Sequence, residues 1–177
     1  MKPTAVAVVG GKKSGKTITI EVLTRGLTKR GYRVAVAKHI PEPKFTIDTE
    51  GKDTWRFAQA GARTIIGVSS DEVVTIEKVR VKNYSLGSIL KKGKDSDVIF
   101  LEGFRKQISR KLDIPKIVIV RSADEASEAL RSFVPILVFT GSYSTESLNS
   151  NIPYLDVARD PEKIVDIVEK VVIENSS

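Results

Sequence analysis

Apolar and polar residues along the chain occur in blocks that predict strands and helices in turn. Residues 4–9 are a β-branched and apolar run, which is typical of a buried strand. Residues 17–30 repeat apolar side chains at helical spacing, and Gly31 follows them as a stop signal. Residues 33–39 predict a second strand. This strand–helix–strand order predicts a parallel pair of strands joined by a right-handed crossover.

The middle of the chain has a different pattern. Residues 40–50 predict a loop, and residues 53–59 predict a short helix that Gly61 ends. Residues 63–68 predict a strand, and residues 72–81 alternate in polarity, so we expect an antiparallel hairpin. The second of these strands carries apolar residues on both faces. This pattern predicts an uncovered edge that pairs with another chain.

The second half returns to alternating strands and helices. A short helix is predicted to begin at Ser85 and end at Gly93. Residues 98–101 are fully apolar, as in a central parallel strand, and lead directly to Glu102. The other predicted elements are a strand at 116–120, a helix at 123–133, a strand at 136–140, a mobile loop at 142–151 and a helix at 161–173.

The segment between the first strand and the first helix matches the phosphate-binding pattern G-x-x-x-x-G-K-[ST]. Its residues are Gly10, Gly11, Lys12, Lys13, Ser14, Gly15, Lys16 and Thr17. Glycines let such a loop turn its N–H groups toward phosphate oxygens, and the helix adds its positive end. Lys16 is placed to reach the β- and γ-phosphates, and the Thr17 hydroxyl to bind Mg²⁺. The sequence therefore predicts nucleotide binding.

These elements predict an α/β fold: a three-layer P-loop NTPase fold with a mostly parallel sheet and a small antiparallel hairpin. At 177 residues, the chain is expected to form one domain over residues 1–177. Ligands of such sheets bind beyond the carboxyl ends of the strands. That rule places the P-loop, His39, Glu102, Arg121 and Thr140–Gly141 along one rim.

Glu102 follows the apolar strand as the acidic residue of a Walker B sequence does, although many nucleotide hydrolases carry Asp there. A carboxylate at this point holds Mg²⁺, through water, or orients an attacking water. The alternative is a strand-end carboxylate that pairs with a nearby lysine.

Three further residues each fit either a functional or a structural role. His39 is the only histidine, and by itself it fits a structural role better than a chemical one. Asp48 and Asp53 lie where P-loop proteins carry switch residues that respond to the γ-phosphate. Both also fit turn and helix-cap acids, and their spacing does not decide.

Composition narrows the classes of function. The chain is 41% hydrophobic and 29% charged, which is ordinary for a soluble globular protein. No apolar run approaches the roughly 20 residues that span a bilayer, the start does not resemble a signal peptide, and cysteine is absent, so a cytoplasmic protein is expected. The net charge is +7, but basic residues are spread along the chain and aromatic residues are only 6%. Nucleic-acid binding is therefore not predicted.

Several sequence blocks carry a more specific signal. After the P-loop come Lys38-His39, then Asp48 with Gly51-Lys52-Asp53-Thr54, Arg56 and Ala60-Gly61-Ala62, then Leu101-Glu102-Gly103-Phe104-Arg105, and Pro115-Lys116-Ile117 running to Arg121. In these blocks, over residues 4 to about 121, the chain resembles the MobB family. Members of that family are molybdopterin-guanine dinucleotide biosynthesis adaptor proteins, P-loop proteins that bind GTP.

The resemblance implies a GTP-binding homodimer that assists a nucleotidyltransferase when GMP is attached to molybdopterin. GTP and Mg²⁺ are the implied cofactors, molybdopterin is a further candidate ligand, and any GTP hydrolysis is expected to be slow. The resemblance also implies that His39, Asp48, Lys52, Asp53 and Arg121 belong to the site. Thr17, Glu102 and Asp48 are then the candidate metal ligands. Many members carry two further histidines where this chain has Pro41 and Glu42.

Two other functions remain open from the residues. A small-molecule kinase or ligase uses the same scaffold and needs arginines over the γ-phosphate, for which Arg105 and Arg110 are candidates. A metallochaperone GTPase is disfavoured by the missing cysteines and the single histidine. The basic loop that contains Arg105, Lys106, Arg110 and Lys111 is expected to bind the partner enzyme or the pterin phosphate. The alternative is a solvated basic loop without such a role.

Overall fold

The computed structural model describes residues 2–79, 85–141 and 151–176. The chain forms two compact units, Met1–His39 with Leu86–Ser177 and, separately, Ile40–Ser85. Residues 80 and 81 of the expected hairpin, and all but the last residue of the expected loop at 142–151, lie outside the described residues. That residues 1–177 are one domain stays a prediction. No helix in the described ranges is both long and apolar enough to cross a membrane.

The predicted order of strands and helices is confirmed, and one further helix of four residues follows the strand that ends at Glu102. In chain order they are β1 (Thr4–Val9), α1 (Lys16–Lys29), β2 (Val34–Lys38), α2 (Asp53–Gln59), β3 (Thr64–Val68), β4 (Val73–Glu77), α3 (Leu86–Lys92), β5 (Val98–Glu102), α4 (Arg105–Ile108), β6 (Lys116–Ile119), α5 (Ala123–Ser132), β7 (Ile136–Thr140) and α6 (Pro161–Ser176).

A five-stranded parallel sheet in the order β2-β5-β1-β6-β7 forms the centre of the first unit. The expectation that β1 and β2 pair directly is wrong, because β5 lies between them. All residues of β5 are buried, whereas β2 is only partly buried at the sheet edge. An apolar strand with two buried faces is more stable in the middle of a sheet.

Alternate residues of the central strands face opposite sides of the sheet. Ala5, Ala7 and Val9 pack in one hydrophobic cluster with residues of α3, α4 and α5. Val6 and Val8 pack in a second cluster with residues of α1 and α6. The first unit therefore has three layers, and β1 is buried between two layers of helix. The predicted three-layer α/β fold is confirmed.

Helix α1 ends where the sequence predicts. Gly31 has a left-handed φ of +89°, and its N–H donates to the Thr28 carbonyl at 3.0 Å. The Tyr32 N–H donates to the Leu27 carbonyl at 3.1 Å. This pair of bonds is the Schellman motif, which satisfies the last carbonyls of a helix. It fixes the direction in which the chain enters β2.

The second unit contains α2 and the predicted hairpin. Strands β3 and β4 pair antiparallel, with Val68 opposite Val73, so the hairpin is confirmed for the described residues. Among the residues of these two strands only Ile65 is buried. Exposed apolar side chains are numerous in this unit: Phe45, Ile47, Phe57, Ile66, Val68, Val73, Val74 and Val79.

Candidate functional site

The P-loop joins the carboxyl end of β1 to the start of α1. Gly15 precedes the helix with φ +103°, and Lys13 is also left-handed at φ 56°. A Cβ at Gly10 would lie 2.6 Å from Ser14 Oγ and 3.0 Å from Ile119 Cβ. Glycine is therefore needed at position 10 for packing and at position 15 for its backbone conformation. The two glycines of the motif are thus required for different physical reasons.

The Lys16 ammonium lies against the loop itself. Its Nζ donates to the Gly11 carbonyl at 2.5 Å and to the Gly10 carbonyl at 3.2 Å. Burial lowers the pKa of Lys16, the nearby Glu102 carboxylate raises it, and Lys38, Arg105 and Arg121 lower it further. Several cations thus surround this point. A phosphate would give the ammonium a charged acceptor instead of two neutral carbonyl oxygens.

Two hydroxyls of the loop are suited to a ligand. Ser14 Oγ is buried and has no hydrogen-bond partner among the described residues. A buried hydroxyl left unpaired costs about 1–3 kcal/mol, so a phosphate oxygen that accepted from it would remove this cost. Thr17 is exposed in the first turn of α1, as a hydroxyl that binds a hydrated cation needs to be.

Glu102 ends β5 and is 9% exposed. Lys38 lies opposite it in the neighbouring strand β2, and the Lys38 Nζ is 3.1 Å from one carboxylate oxygen and 3.2 Å from the other. The lysine-pairing alternative is therefore observed, and it leaves a catalytic role for the carboxylate untested. Which lysine pairs with Glu102 could not be predicted, because it depends on β2 and β5 being neighbours in the sheet and the sequence does not give the order of the strands.

The residues after Glu102 make a tight bend. Gly103 and Phe104 are both left-handed, with φ of 85° and 51°. The buried Phe104 ring lies 5.4 Å from the His39 ring. The backbone N–H of His39 donates to the backbone carbonyl of Glu102 at 2.9 Å. His39 thus has the packing role that its isolation in the sequence favours. That it also contacts a ligand stays a prediction.

Arg121 lies beside the P-loop, as the rim argument predicts. A Cβ at Gly11 would be 3.2 Å from an Arg121 guanidinium nitrogen. Glu125 holds this arginine by accepting from its N–H at 2.8 Å and from its guanidinium at 2.6 and 3.1 Å. The same contacts lower the pKa of Glu125. Ser122 caps α5 by accepting from the Glu125 N–H, so the helix start positions the pair.

The basic segment after Glu102 is not simply a loop, as the sequence suggested, because Arg105–Ile108 forms the short helix α4. The Arg105 guanidinium lies 5.1 Å from the centre of the Phe133 ring and 3.8 Å from the Glu128 carboxylate. The Arg110 guanidinium instead donates to the Arg131 carbonyl at 2.6 Å. The two arginines that the sequence grouped therefore have separate surroundings.

Asp48, Lys52 and Asp53 lie in the second unit. One Asp48 carboxylate oxygen accepts from Thr54 Oγ1 at 2.8 Å, and its other oxygen is buried without a partner in the described ranges. Lys52 precedes α2, and Asp53 is its first residue. The Asp48 contact fits a turn acid, whereas Asp53 is an acidic residue of the first helical turn and not the cap residue, which is Lys52 and makes no side-chain cap hydrogen bond. The unpaired oxygen of Asp48 keeps it a candidate metal ligand, and its role stays a prediction.

The residues present fit Mg²⁺ bound together with a nucleotide. No group of three histidine, cysteine or acidic side chains suited to a metal exists within the described residues. A Mg²⁺ ion at a phosphate site needs only one or two protein ligands, since phosphates and waters complete its octahedron. The Thr17 hydroxyl and the Glu102 carboxylate, both in the first unit, would meet that need.

The sheet, the loop and the lysine together define a P-loop NTPase fold. The model of the family described as "Molybdopterin guanine dinucleotide synthesis protein B" (MobB) matches residues 5–138. The chain belongs to this family, which confirms the resemblance seen in the sequence.

Individual relatives support this family assignment. A protein of Methanocaldococcus jannaschii named for molybdopterin-guanine dinucleotide biosynthesis is 30% identical over 144 residues, which are 81% of this chain and 58% of that protein. The molybdopterin-guanine dinucleotide biosynthesis adapter protein of Haemophilus influenzae is 33% identical over 118 residues, 66% of this chain and 62% of the relative. The matched part of the chain thus spans less than two thirds of the length of either relative.

Solved structures agree on the fold. A crystal structure of molybdopterin-guanine biosynthesis protein B is similar with a TM-score of 0.73 at 22% identity, covering 95% of this chain and 98% of that one. The crystal structure of Bacillus subtilis MobB gives a TM-score of 0.72 at 26% identity, covering 95% and 97%.

Proposed function

We propose that this protein is an adapter in molybdopterin guanine dinucleotide biosynthesis that binds GTP with Mg²⁺ and assists a nucleotidyltransferase in attaching GMP to molybdopterin. The observation that carries the proposal is the complete P-loop, with Lys16 held at its centre, in a chain of the MobB family. The adapter role comes from the name of the H. influenzae relative. The metal of the final cofactor is molybdenum or tungsten.

The P-loop supplies the phosphate-binding groups. Backbone N–H groups between Gly10 and Lys16 donate to phosphate oxygens, and the N-terminus of α1 adds its partial positive charge. Lys16 moves from its carbonyl acceptors to the β- and γ-phosphates. The Thr17 hydroxyl and one carboxylate would hold Mg²⁺, and the ion would supply positive charge that offsets the charge of the phosphates. Arg121, beside Gly11, adds a further cation at this edge.

Glu102 is the residue we assign to hydrolysis. Lys38 fixes its carboxylate at the carboxyl end of β5, the edge where P-loop ligands bind. From there the carboxylate orients an attacking water or holds a water of the Mg²⁺ shell. An arginine that contacts the γ-phosphate in the transition state raises the rate of hydrolysis roughly 10³- to 10⁵-fold. We assign one carboxylate and no such arginine to this reaction, which fits slow turnover. We therefore propose at most a slow GTPase.

The surface of α4 and the following turn is our candidate for the partner enzyme. Lys106, Arg110 and Lys111 are exposed there. Arg110 is anchored at the Arg131 carbonyl, so its charge has a fixed position. A cluster of exposed cations suits an acidic surface on the partner and speeds association.

We also propose that two copies of the chain associate through the hairpin of β3 and β4. Strand β3 exposes Ile66 and Val68, strand β4 exposes Val73 and Val74, and each strand has a partner on one edge only within the described hairpin. Uncovered apolar edges tend to pair with another chain, and pairing of identical edges gives a symmetric dimer. Because the proposed reaction uses the GTP pool, we place it in the cytoplasm.

The proposal is tested in a reconstituted reaction that contains the nucleotidyltransferase, molybdopterin and Mg·GTP. Adding this protein should raise the amount of dinucleotide formed, and Lys106→Glu with Arg110→Glu should abolish the stimulation while GTP binding stays intact. Lys91→Glu with Lys94→Glu reverses the same number of exposed charges away from α4 and should stimulate normally. Stimulation that survives the first pair of changes contradicts the role of this surface, and the absence of stimulation by the unaltered protein contradicts the adapter function.

A further inference from the structure

The Arg121 guanidinium is held along one edge and free along another. Its Nε and Nη2 donate to Glu125 Oε1 at 3.1 and 2.6 Å, and the Arg121 backbone N–H donates to Glu125 Oε2 at 2.8 Å. A guanidinium carries five N–H donors in one plane. The three that remain, two on Nη1 and one on Nη2, have no acceptor within the described residues. They form the end of the group, where two parallel donors can meet two oxygens of one phosphate.

One nitrogen of this free end lies against the P-loop. A Cβ on Gly11 would be 3.2 Å from Arg121 Nη2 and 3.7 Å from Arg121 Cζ. The nitrogen that Glu125 holds is therefore also the one that lies nearest to the second glycine of the loop. The Arg121 side chain is 51% exposed, so a phosphate on the loop can reach the free donors.

Glu125 is itself fixed by the start of α5. Its backbone N–H donates to Ser122 Oγ at 3.2 Å, and the residue lies in the first helical turn, where the positive end of the helix stabilises a carboxylate. The hydrogen bonds from Arg121 lower the pKa of Glu125, so its carboxylate is charged at neutral pH. The helix thus sets the position of a guanidinium that would otherwise rotate freely about its side-chain bonds.

We propose that Glu125 is a positioning residue for phosphate binding: it holds the Arg121 guanidinium beside Gly11 with its free end available to a phosphate of the nucleotide on the P-loop. That this nucleotide is GTP rests on the proposed function, whereas the geometry of the arginine does not. An arginine that is ordered before binding avoids the loss of conformational freedom that binding would otherwise cause. This loss corresponds to roughly two- to tenfold in affinity for each side chain.

The direction of the effect separates positioning from a simple effect of charge. A carboxylate near a phosphate repels it, so if Glu125 acted through its charge alone, removing the charge would strengthen nucleotide binding. If Glu125 acts by positioning Arg121, removing the charge weakens nucleotide binding although the repulsion is also lost. An acidic residue that aids the binding of an anion is therefore a specific consequence of this arrangement.

The test measures the affinity of the full chain for Mg·GTP and for Mg·ATP by calorimetric titration. Glu125→Gln keeps the length of the side chain but removes the charge that holds Arg121, and we expect it to bind nucleotide about three- to tenfold more weakly. Asp124→Asn removes the same charge from the same helical turn, at a residue that forms no ion pair with Arg121, and should bind as the unaltered chain does. Thermal unfolding of each variant confirms that it is folded.

A double-mutant cycle shows whether Glu125 acts through Arg121. Arg121→Ala should weaken nucleotide binding about 10- to 100-fold, because charge-assisted hydrogen bonds are lost. In the Arg121→Ala background, Glu125→Gln should cause no further loss of affinity, since there is no guanidinium left to hold. A role of Glu125 that is confined to the structure of α5 would instead weaken binding by the same factor in both backgrounds.

The proposal is overturned if Glu125→Gln binds nucleotide as tightly as the unaltered chain or more tightly, or if its loss of affinity is the same in the Arg121→Ala background. The expected pattern with ATP, together with no binding of GTP, supports the positioning role and contradicts the proposed function. A chain that binds neither nucleotide overturns both.

Discussion

A buried lysine outside the proposed site makes the sharpest prediction about stability. Lys116 begins β6 and is fully buried. Its Nζ donates to the Lys111 carbonyl at 2.7 Å and to the Val134 carbonyl at 2.5 Å, which ties together the segments on either side of the strand. Burial lowers the pKa of this ammonium from 10.5 to about 8, although the nearby Asp113 opposes the shift.

The sign of the pH dependence follows from this lowered pKa. Above pH 8 the folded chain releases the proton of Lys116, while the unfolded chain keeps it up to about pH 10.5. The unfolded state therefore binds more protons in this window, and the free energy of unfolding rises with pH. Below pH 8 Lys116 is charged in both the folded and the unfolded state, so its contribution to the free energy of unfolding does not change with pH. Between pH 7 and pH 9 the linkage relation gives a gain of about 1 kcal/mol.

Urea unfolding of the unaltered chain and of Lys116→Met at both pH values isolates this effect. The variant loses two hydrogen bonds, so it is less stable at either pH, and other titrating groups cancel in the comparison. The stability difference between the unaltered chain and the variant should grow by about 1 kcal/mol from pH 7 to pH 9. A difference that stays constant or shrinks would refute the argument from burial.

Three further predictions concern packing, hydrolysis and assembly. Gly26→Ala places a Cβ 2.5 Å from Val165 Cγ2. Although alanine forms helices better than glycine, this clash should destabilise the chain by about 1–3 kcal/mol in thermal unfolding. Adding Val165→Ala removes the clash and should restore stability. Glu102→Gln should retain GTP but slow single-turnover hydrolysis, and an unchanged rate would exclude the catalytic role. Val73→Lys, on the exposed hairpin, should convert the proposed dimer to monomers in sedimentation at micromolar concentration, whereas a monomeric unaltered chain would contradict the proposal of a dimer.

The sequence predicted the features that depend on neighbouring residues. The P-loop, the left-handed Gly31 after α1 and Gly61 after α2 all rest on local backbone requirements. Element types followed from the period of apolar residues. Helix α4 was missed because a helix of four residues is too short to show a period and follows the unusual left-handed bend at Gly103 and Phe104.

Features that depend on the order of strands were not predictable. The insertion of β5 between β1 and β2 brings Lys38 to Glu102 across 64 positions of sequence. The contact between Arg105 of α4 and the Phe133 ring after α5 likewise joins residues that are far apart in the sequence. The Lys38-His39 and Glu102-Gly103-Phe104-Arg105 blocks identified these segments through the family resemblance. They did not indicate which residues the segments contact.

The central claim is that the P-loop of this chain binds a guanine nucleotide triphosphate through Lys16. Calorimetric titration with Mg·GTP tests it most directly, with Lys29→Ala as a control that removes the same charge from the far end of α1. The unaltered chain and Lys29→Ala should bind GTP equally, and Lys16→Ala should bind about 10- to 100-fold more weakly, because a charge-assisted hydrogen bond is lost. Equal affinity of Lys16→Ala and the unaltered chain would contradict the account.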